Sequence, residues 1–278
     1  MVFDTPAVLP ALLTPFDDRG DVDTAALADH VEFVIEGGVH GIMPCGTTGE
    51  TALLEAGETL TVVRTVVEAA AGRVPVVAHV GRPSTTATAR LIEAAIDAGA
   101  DGVSAIVPYY YAYGDREIVA HFRALIAAAG DTPLFAYHFP ARTGNELSAE
   151  AFATLAGDGL AGLKDSSGSV EVHEAFLAAA PGAQIFVGSP SLLLGSLRGG
   201  SRGTVAALAN LAPELVVALA NAWRDGDEAA ERLQEEVRAA EQALAQRAPL
   251  VALKTGVAEL MAARGSRYPS ALRSPLGT

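Results

Sequence analysis

Eight short apolar runs recur along the chain and alternate with alanine-rich stretches of helical spacing. The runs are AVLPALL (7–13), GIMPC (41–45), VPVVAHV (74–80), GVSAIVP (102–108), LFAYHF (134–139), LAGLKD (160–165), AQIFVG (183–188) and GTVAALA (203–209). Runs that are apolar at nearly every position, rather than every second one, are how strands covered on both faces read. Between them, stretches such as TAALADHVEFVIEGG, TTATARLIEAAIDAGA and SAEAFATLAG place apolar residues at helical spacing. Most end at glycine and several begin at Thr, Ser or Asp, the stop and start signals of helices. Strand and helix in alternation predict parallel βαβ units, and eight is the number that closes a barrel. The expected fold is therefore α/β: a (β/α)8 TIM barrel with additional C-terminal helices. An open doubly wound sheet is the structural alternative. The absence of a GxGxxG turn after the first run weighs against it.

After the eighth run only helical signals follow, from about 211 to 263, and then the irregular tail YPSALRSPLGT. The expected division is a barrel over residues 1–225 and a helical extension over 226–278 packed on it.

Half of the 278 residues are apolar, enough to build a large core, and the net charge is −14. An acidic surface argues against a general nucleic-acid or membrane-surface partner. The single cysteine, Cys45, excludes an internal disulfide and reads as a small buried apolar residue. The N-terminal residues lack a basic segment followed by a long apolar one, and no run reaches the ~20 apolar residues of a membrane span. A cytoplasmic protein is expected.

Active sites of such barrels lie at the C-terminal ends of the strands. The segments there are GTTGE (46–50), PYYYAYG (108–114), YHFPARTG (137–144), KDSSGS (164–169) and GSPS (188–191). They hold five of the six tyrosines and one of only two lysines. Lys164 has two readings: an ion-pair partner of Asp165 or Glu146, or a nucleophile. A free lysine is almost wholly charged at neutral pH, and burial favours the neutral amine that attacks a ketone. Lys254, in a helical run, reads as lying away from the mouth. Tyr110 and Tyr137 come from different strand ends and could shuttle protons beside a Schiff base. An aromatic run can equally be packing or a subunit contact. GTTGE offers two hydroxyls and free N–H groups for a carboxylate, or is an ordinary capped turn. Arg142 could clamp a second carboxylate or be a surface arginine. His79, His138, Glu50 and Asp165 could in principle ligate a metal, although no ligand spacing supports it.

GTTGE, the PYY segment, Y-x-x-P-x-x-(T/S)-G and G-x-K-D, in that order and spacing, together resemble the dihydrodipicolinate synthase/N-acetylneuraminate lyase family, over almost the whole chain to about Leu276. The resemblance implies a Schiff base between Lys164 and pyruvate, or a 2-oxo acid that yields it, with no metal or other cofactor. It implies Tyr137 as general acid/base and Thr47 and Thr48 as carboxylate binders beside Gly46, with Thr47 also in a proton relay completed by Tyr110. It further implies Val205 as a backbone contact to substrate, Tyr109 at a dimer contact, and a homotetramer or homodimer. Arg142 matches the arginine that the synthases use for aspartate semialdehyde. His138 replaces the usual asparagine, and GTVAALANLAP resembles aldolases of 4-hydroxy-2-oxoglutarate or 2-oxo-3-deoxy sugar acids as well as it does synthases. The residues around Ala56 and Pro83 do not match the histidine and asparagine of lysine-inhibited synthases, so feedback inhibition by lysine is not expected. Metal-dependent hydrolysis or aldol chemistry, or a non-catalytic 2-oxo acid sensor, are the rival classes.

Overall fold

A computed structural model describes residues 3, 6–246 and 248–277; residues 1, 2, 4 and 5, part of the stretch read for a leader, lie outside them, as do 247 and 278. Seven parallel strands form one sheet: β1 (Ala7–Pro10), β2 (Val77–His79), β3 (Gly102–Ile106), β4 (Leu134–His138), β5 (Gly162–Asp165), β6 (Gln184–Val187) and β7 (Gly203–Ala206). The order is β1-β7-β6-β5-β4-β3-β2, which leaves β1 and β2 as its edges. The run GIMPC closes the gap between them. It is no full strand but a pair of bridges, Met43 to Ala11 and Ile42 to Val76. Met43 N–H donates to the Pro10 carbonyl and Leu12 N–H to that of Met43; on the far side Val77 N–H donates to Ile42 and His79 N–H to Pro44. Pro44 has no N–H to give, and Cys45 turns to φ 60°, so the ladder stops after two residues. Eight positions, one of them abbreviated, make the barrel.

Helices α1 (Thr24–Glu36), α2 (Ala56–Ala70), α3 (Thr85–Asp97), α4 (Asp115–Ala129), the short α5 (Pro140–Thr143), α6 (Ala149–Gly157), α7 (Val170–Ala179), α8 (Leu193–Arg198) and α9 (Pro213–Asp225) surround it, followed by α10 (Ala229–Ala245) and α11 (Pro249–Ala263). The caps are those the sequence signals: the side chains of Asp23, Ser84 and Ser148 accept from the N–H groups of Ala26, Ala87 and Ala151. No helix among the described residues is long and apolar enough to cross a membrane.

Two apolar clusters share the sheet. One joins its outer face to the helices; the other, with Phe3, Leu9, Met43, Val77, Phe135, Phe186 and Val205, fills the barrel. Phe186 meets Phe3 and Phe135 edge-on, with centroids 5.5 and 6.1 Å away. Each ring contributes about 1.5–3 kcal/mol by burial. Gly162 makes room for this packing, because a Cβ there would lie 1.9 Å from the Gln184 carbonyl oxygen and 3.0 Å from the Phe135 ring. The two-residue pleat then decides what faces the barrel axis. On β4, Phe135 points inward and Tyr137 follows it; on β5 Leu163 packs outward and Lys164 points in. Lys164 caps the apolar interior at its open end.

Candidate active site

Tyr137 and Lys164 are register partners on adjacent strands, and His138 and Asp165 form the next rung. The inward pair shares one cavity and the outward pair is stapled behind it. Lys164 is 4% exposed, with its Nζ 4.3 Å from the centre of the Tyr137 ring. The Tyr137 hydroxyl lies 3.2 Å from Thr47 Oγ1. These groups line a cavity of about 260 Å³ with Thr48, Phe139, Ser166, Gly168, Ser189, Leu192 and Val205. Gly46 opens the turn that carries both threonines, and no atom would meet a Cβ there.

The ion-pair reading of Lys164 gives way on geometry. Asp165 faces outward and accepts from Ser167 N–H and Oγ, while His138 Nδ1 and His173 Nδ1 lie 3.1 and 3.2 Å from its two oxygens. Burial alone would raise this carboxyl, but the hydrogen bonds from His138, His173 and Ser167 outweigh it and hold the group well below the usual carboxylate range. Asp165 is thereby occupied, and Lys164 is left facing Tyr137. Behind Tyr137 stands His79, its ring edge-on at 5.6 Å. Burial, with smaller contributions from the charges of Arg82 and Lys164, pulls its pKa down to about 3, so it is a neutral wall.

The residues considered as metal ligands do not converge. His138 and Asp165 meet outside the barrel, His79 faces inward, and Glu50 is buried elsewhere. Among the described residues no group of three or more His, Cys, Asp or Glu side chains is arranged to hold a metal ion. Burial pushes the Cys45 thiol up to about 12, which keeps it protonated.

Three of the expected site residues, Tyr110, Tyr109 and Arg142, do not line the cavity. Tyr110 is 84% exposed, holds φ 85°, and packs edge-on against Tyr111. Tyr109 is partly buried near Arg82. Arg142, on α5, is exposed and leans over the Phe139 ring, its guanidinium 5.9 Å from the centroid. It therefore stands at the rim.

Lys254 lies on α11 and does not line the cavity, but it has a link the sequence did not show: its Nζ lies 2.5 Å from Glu50 Oε1, at the end of the GTTGE turn, and both side chains are fully buried. Its position on α11, far along the chain from the strand ends, hid this; the signal available was that it is one of only two lysines. Of the residues that shape the outer cavity, Phe139 and Ser189 fall in the strand-end segments 137–144 and 188–191, whereas Leu192 carried no signal in the sequence.

The sequence profile of the Dihydrodipicolinate synthetase family matches residues 4–278. An uncharacterized DapA-like lyase of Halobacterium salinarum is 43% identical over 97% of this chain and 87% of its own. The 4-hydroxy-tetrahydrodipicolinate synthase of Methanopyrus kandleri is 38% identical over 82% of this chain and 77% of its own. Among solved structures, YagE, a prophage protein of the dihydrodipicolinic acid synthase family from E. coli K12 in complex with pyruvate, superposes with a TM-score of 0.90 at 27% identity, over 97% of this chain and 92% of that one.

Proposed function

The chain belongs to the dihydrodipicolinate synthetase family and is a lyase of the Schiff-base class; from that premise we propose that Lys164 binds pyruvate covalently and that the enzyme joins it to an aldehyde. The observation that carries this reading is the meeting of the Lys164 amine, the Tyr137 phenol and the Thr47 hydroxyl in one cavity.

The neutral Lys164 amine adds to C2 of pyruvate, and Tyr137 protonates the departing hydroxyl so that water leaves and an iminium remains. Thr48, Thr47 and the N–H groups of their turn hold the carboxylate, with the Val205 backbone closing the opposite side. The iminium draws electrons from the methyl carbon, which loses a proton to the Tyr137–Thr47 pair and becomes an enamine. That carbon attacks the aldehyde, and the same pair returns a proton to the new alkoxide. With aspartate semialdehyde, the first choice of partner, the substrate's own amine then attacks the iminium carbon. This closes a six-membered ring and expels the Lys164 amine. The product is 4-hydroxy-tetrahydrodipicolinate. The exposed Tyr110 serves the pocket of a second copy in a dimer or tetramer, with Tyr109 at the contact.

A second reading keeps every step to the enamine and runs the carbon–carbon step in reverse, releasing pyruvate from 4-hydroxy-2-oxoglutarate or a 2-oxo-3-deoxy sugar acid. Arg142, exposed at the rim beside Phe139, is the charge that would separate a carboxylate-bearing partner from a neutral one in either direction. The common part is tested by nuclear magnetic resonance of pyruvate in D2O with enzyme alone: the methyl protons are expected to exchange. No exchange would contradict both readings. Turnover with a panel of aldehydes and 2-oxo acids then separates them.

A further inference from the structure

We infer that Lys254 and Arg273, which lie outside the barrel strands, are positioning residues for the Thr47–Tyr137 pair and act through Glu50; this rests on the roles proposed above for Lys164, Tyr137 and Thr47. The turn that presents Thr47 is short and closed. Glu50 N–H donates to the Thr47 carbonyl at 3.1 Å, and Thr51 N–H to that of Gly46 at 3.2 Å. Thr14 Oγ1 donates to the Gly49 carbonyl at 2.9 Å, and Gly49 has no room for a side chain, since a Cβ would come 2.9 Å from the Leu12 oxygen. The last residue of the turn, Glu50, holds φ 61°, a left-handed conformation that a side-chain-bearing residue keeps only when its surroundings impose it.

What imposes it is the C-terminal segment. Glu50 Oε1 meets Lys254 Nζ at 2.5 Å, and Oε2 accepts Arg273 N–H at 2.9 Å. Lys254 also donates to the Ala271 carbonyl and lies over the Phe16 ring. The Arg273 guanidinium lies over the same ring and donates to Glu58, to the Leu53 carbonyl and to the Gly20 carbonyl. Helix α11 and the tail therefore meet the turn on one buried carboxylate, and the Arg273 side chain ties that segment to α2 through Glu58. A charged carboxylate stripped of Lys254 would have to take up a proton or swing toward water. A swing would release the left-handed residue three positions from Thr47. The Thr47–Tyr137 contact, at 3.2 Å, is already at the long end of a hydroxyl hydrogen bond, so a shift of about 1 Å breaks it. Neither Lys254 nor Arg273 touches the cavity; each acts only through the turn.

The test uses the full chain with pyruvate in D2O. The double variant Glu50→Gln/Lys254→Met removes both charges and nearly keeps size, so a buried charge is not orphaned. Arg273→Met, at a partly buried position, removes the guanidinium anchors alone. Three quantities are read for each: the melting transition, the saturating amount of borohydride-trapped pyruvate on Lys164, and the methyl-proton exchange rate. The expected result is a cooperative melt and wild-type trapping, with exchange slowed at least about tenfold in the double variant and about threefold in Arg273→Met. A merely structural role moves the melt and leaves exchange per folded molecule unchanged. An exchange rate within error of wild type in either folded variant overturns the proposal. No exchange and no adduct in the wild type would instead sink the site reading, and this proposal with it.

Discussion

The two lysines of this chain are both buried, yet their surroundings differ. Lys164 is 4% exposed at a strand end, faces a phenol ring and opens onto a cavity; Lys254 is fully enclosed on a helix and meets a carboxylate. Burial lowers the Lys254 pKa from its ordinary value and Glu50 opposes the change. The counter-charge fixes Lys254 as a structural cation, whereas the neighbouring carboxyl that could have neutralised Lys164 is turned outward and taken by two histidines. Burial alone does not make a nucleophile. What matters is which partner the pleat of the sheet withholds.

The comparison can be broken in several ways. Lys164→Ala is expected to abolish turnover, with a loss on the order of 10⁴-fold or more in kcat, because the other lysine, Lys254, does not line the cavity; steady-state assay checks it. Tyr137→Phe is expected to lower kcat by about 10²–10⁴-fold while the protein still binds pyruvate, the cost of removing the proton shuttle. Lys254→Ala should in addition cost stability, beyond the slowed exchange expected of a positioning residue: orphaning Glu50 costs about 3–5 kcal/mol, read from urea unfolding.

Buried bases without a counter-charge sharpen the contrast. Burial lowers His30 to about 4 and His79 to about 3, from an ordinary 6.5. The unfolded chain takes up protons near pH 6.5 that the folded chain refuses. Stability from these two groups is therefore full above pH 6.5 and falls as pH drops toward 4, by about 1.4 kcal/mol per histidine per pH unit. Denaturant titrations between pH 7 and 4 check the sign. The smallest effect is expected at the rim. Arg142→Ala should raise KM roughly tenfold for a carboxylate-bearing partner and leave a neutral aldehyde unchanged. Equal reaction of both would remove Arg142 as a selectivity clamp.

Much of this was legible in the amino-acid sequence. Every apolar run falls on a strand or, for GIMPC, on the bridges that close the barrel, because continuous burial leaves a continuous apolar signature. GIMPC reads like the other runs, and its shortening to two bridges, where Pro44 lacks an N–H, shows only in the hydrogen bonds. Lys164, Tyr137, Thr47 and Thr48 come together in the cavity because strand ends in a barrel point at one mouth. The ion pair of Lys254 with Glu50 was not legible because it spans some two hundred residues and leaves no periodic trace. Arg142 and Tyr110 were placed at strand ends correctly, but the direction of an exposed loop side chain is set by what packs on it, not by spacing.

The contrast between the lysines is tested most directly by trapping. Enzyme is mixed with pyruvate and sodium borohydride, digested, and mapped by mass spectrometry. The predicted result is a single reduced pyruvyl adduct on Lys164 with Lys254 unmodified. An adduct on Lys254, or none on Lys164, would contradict it.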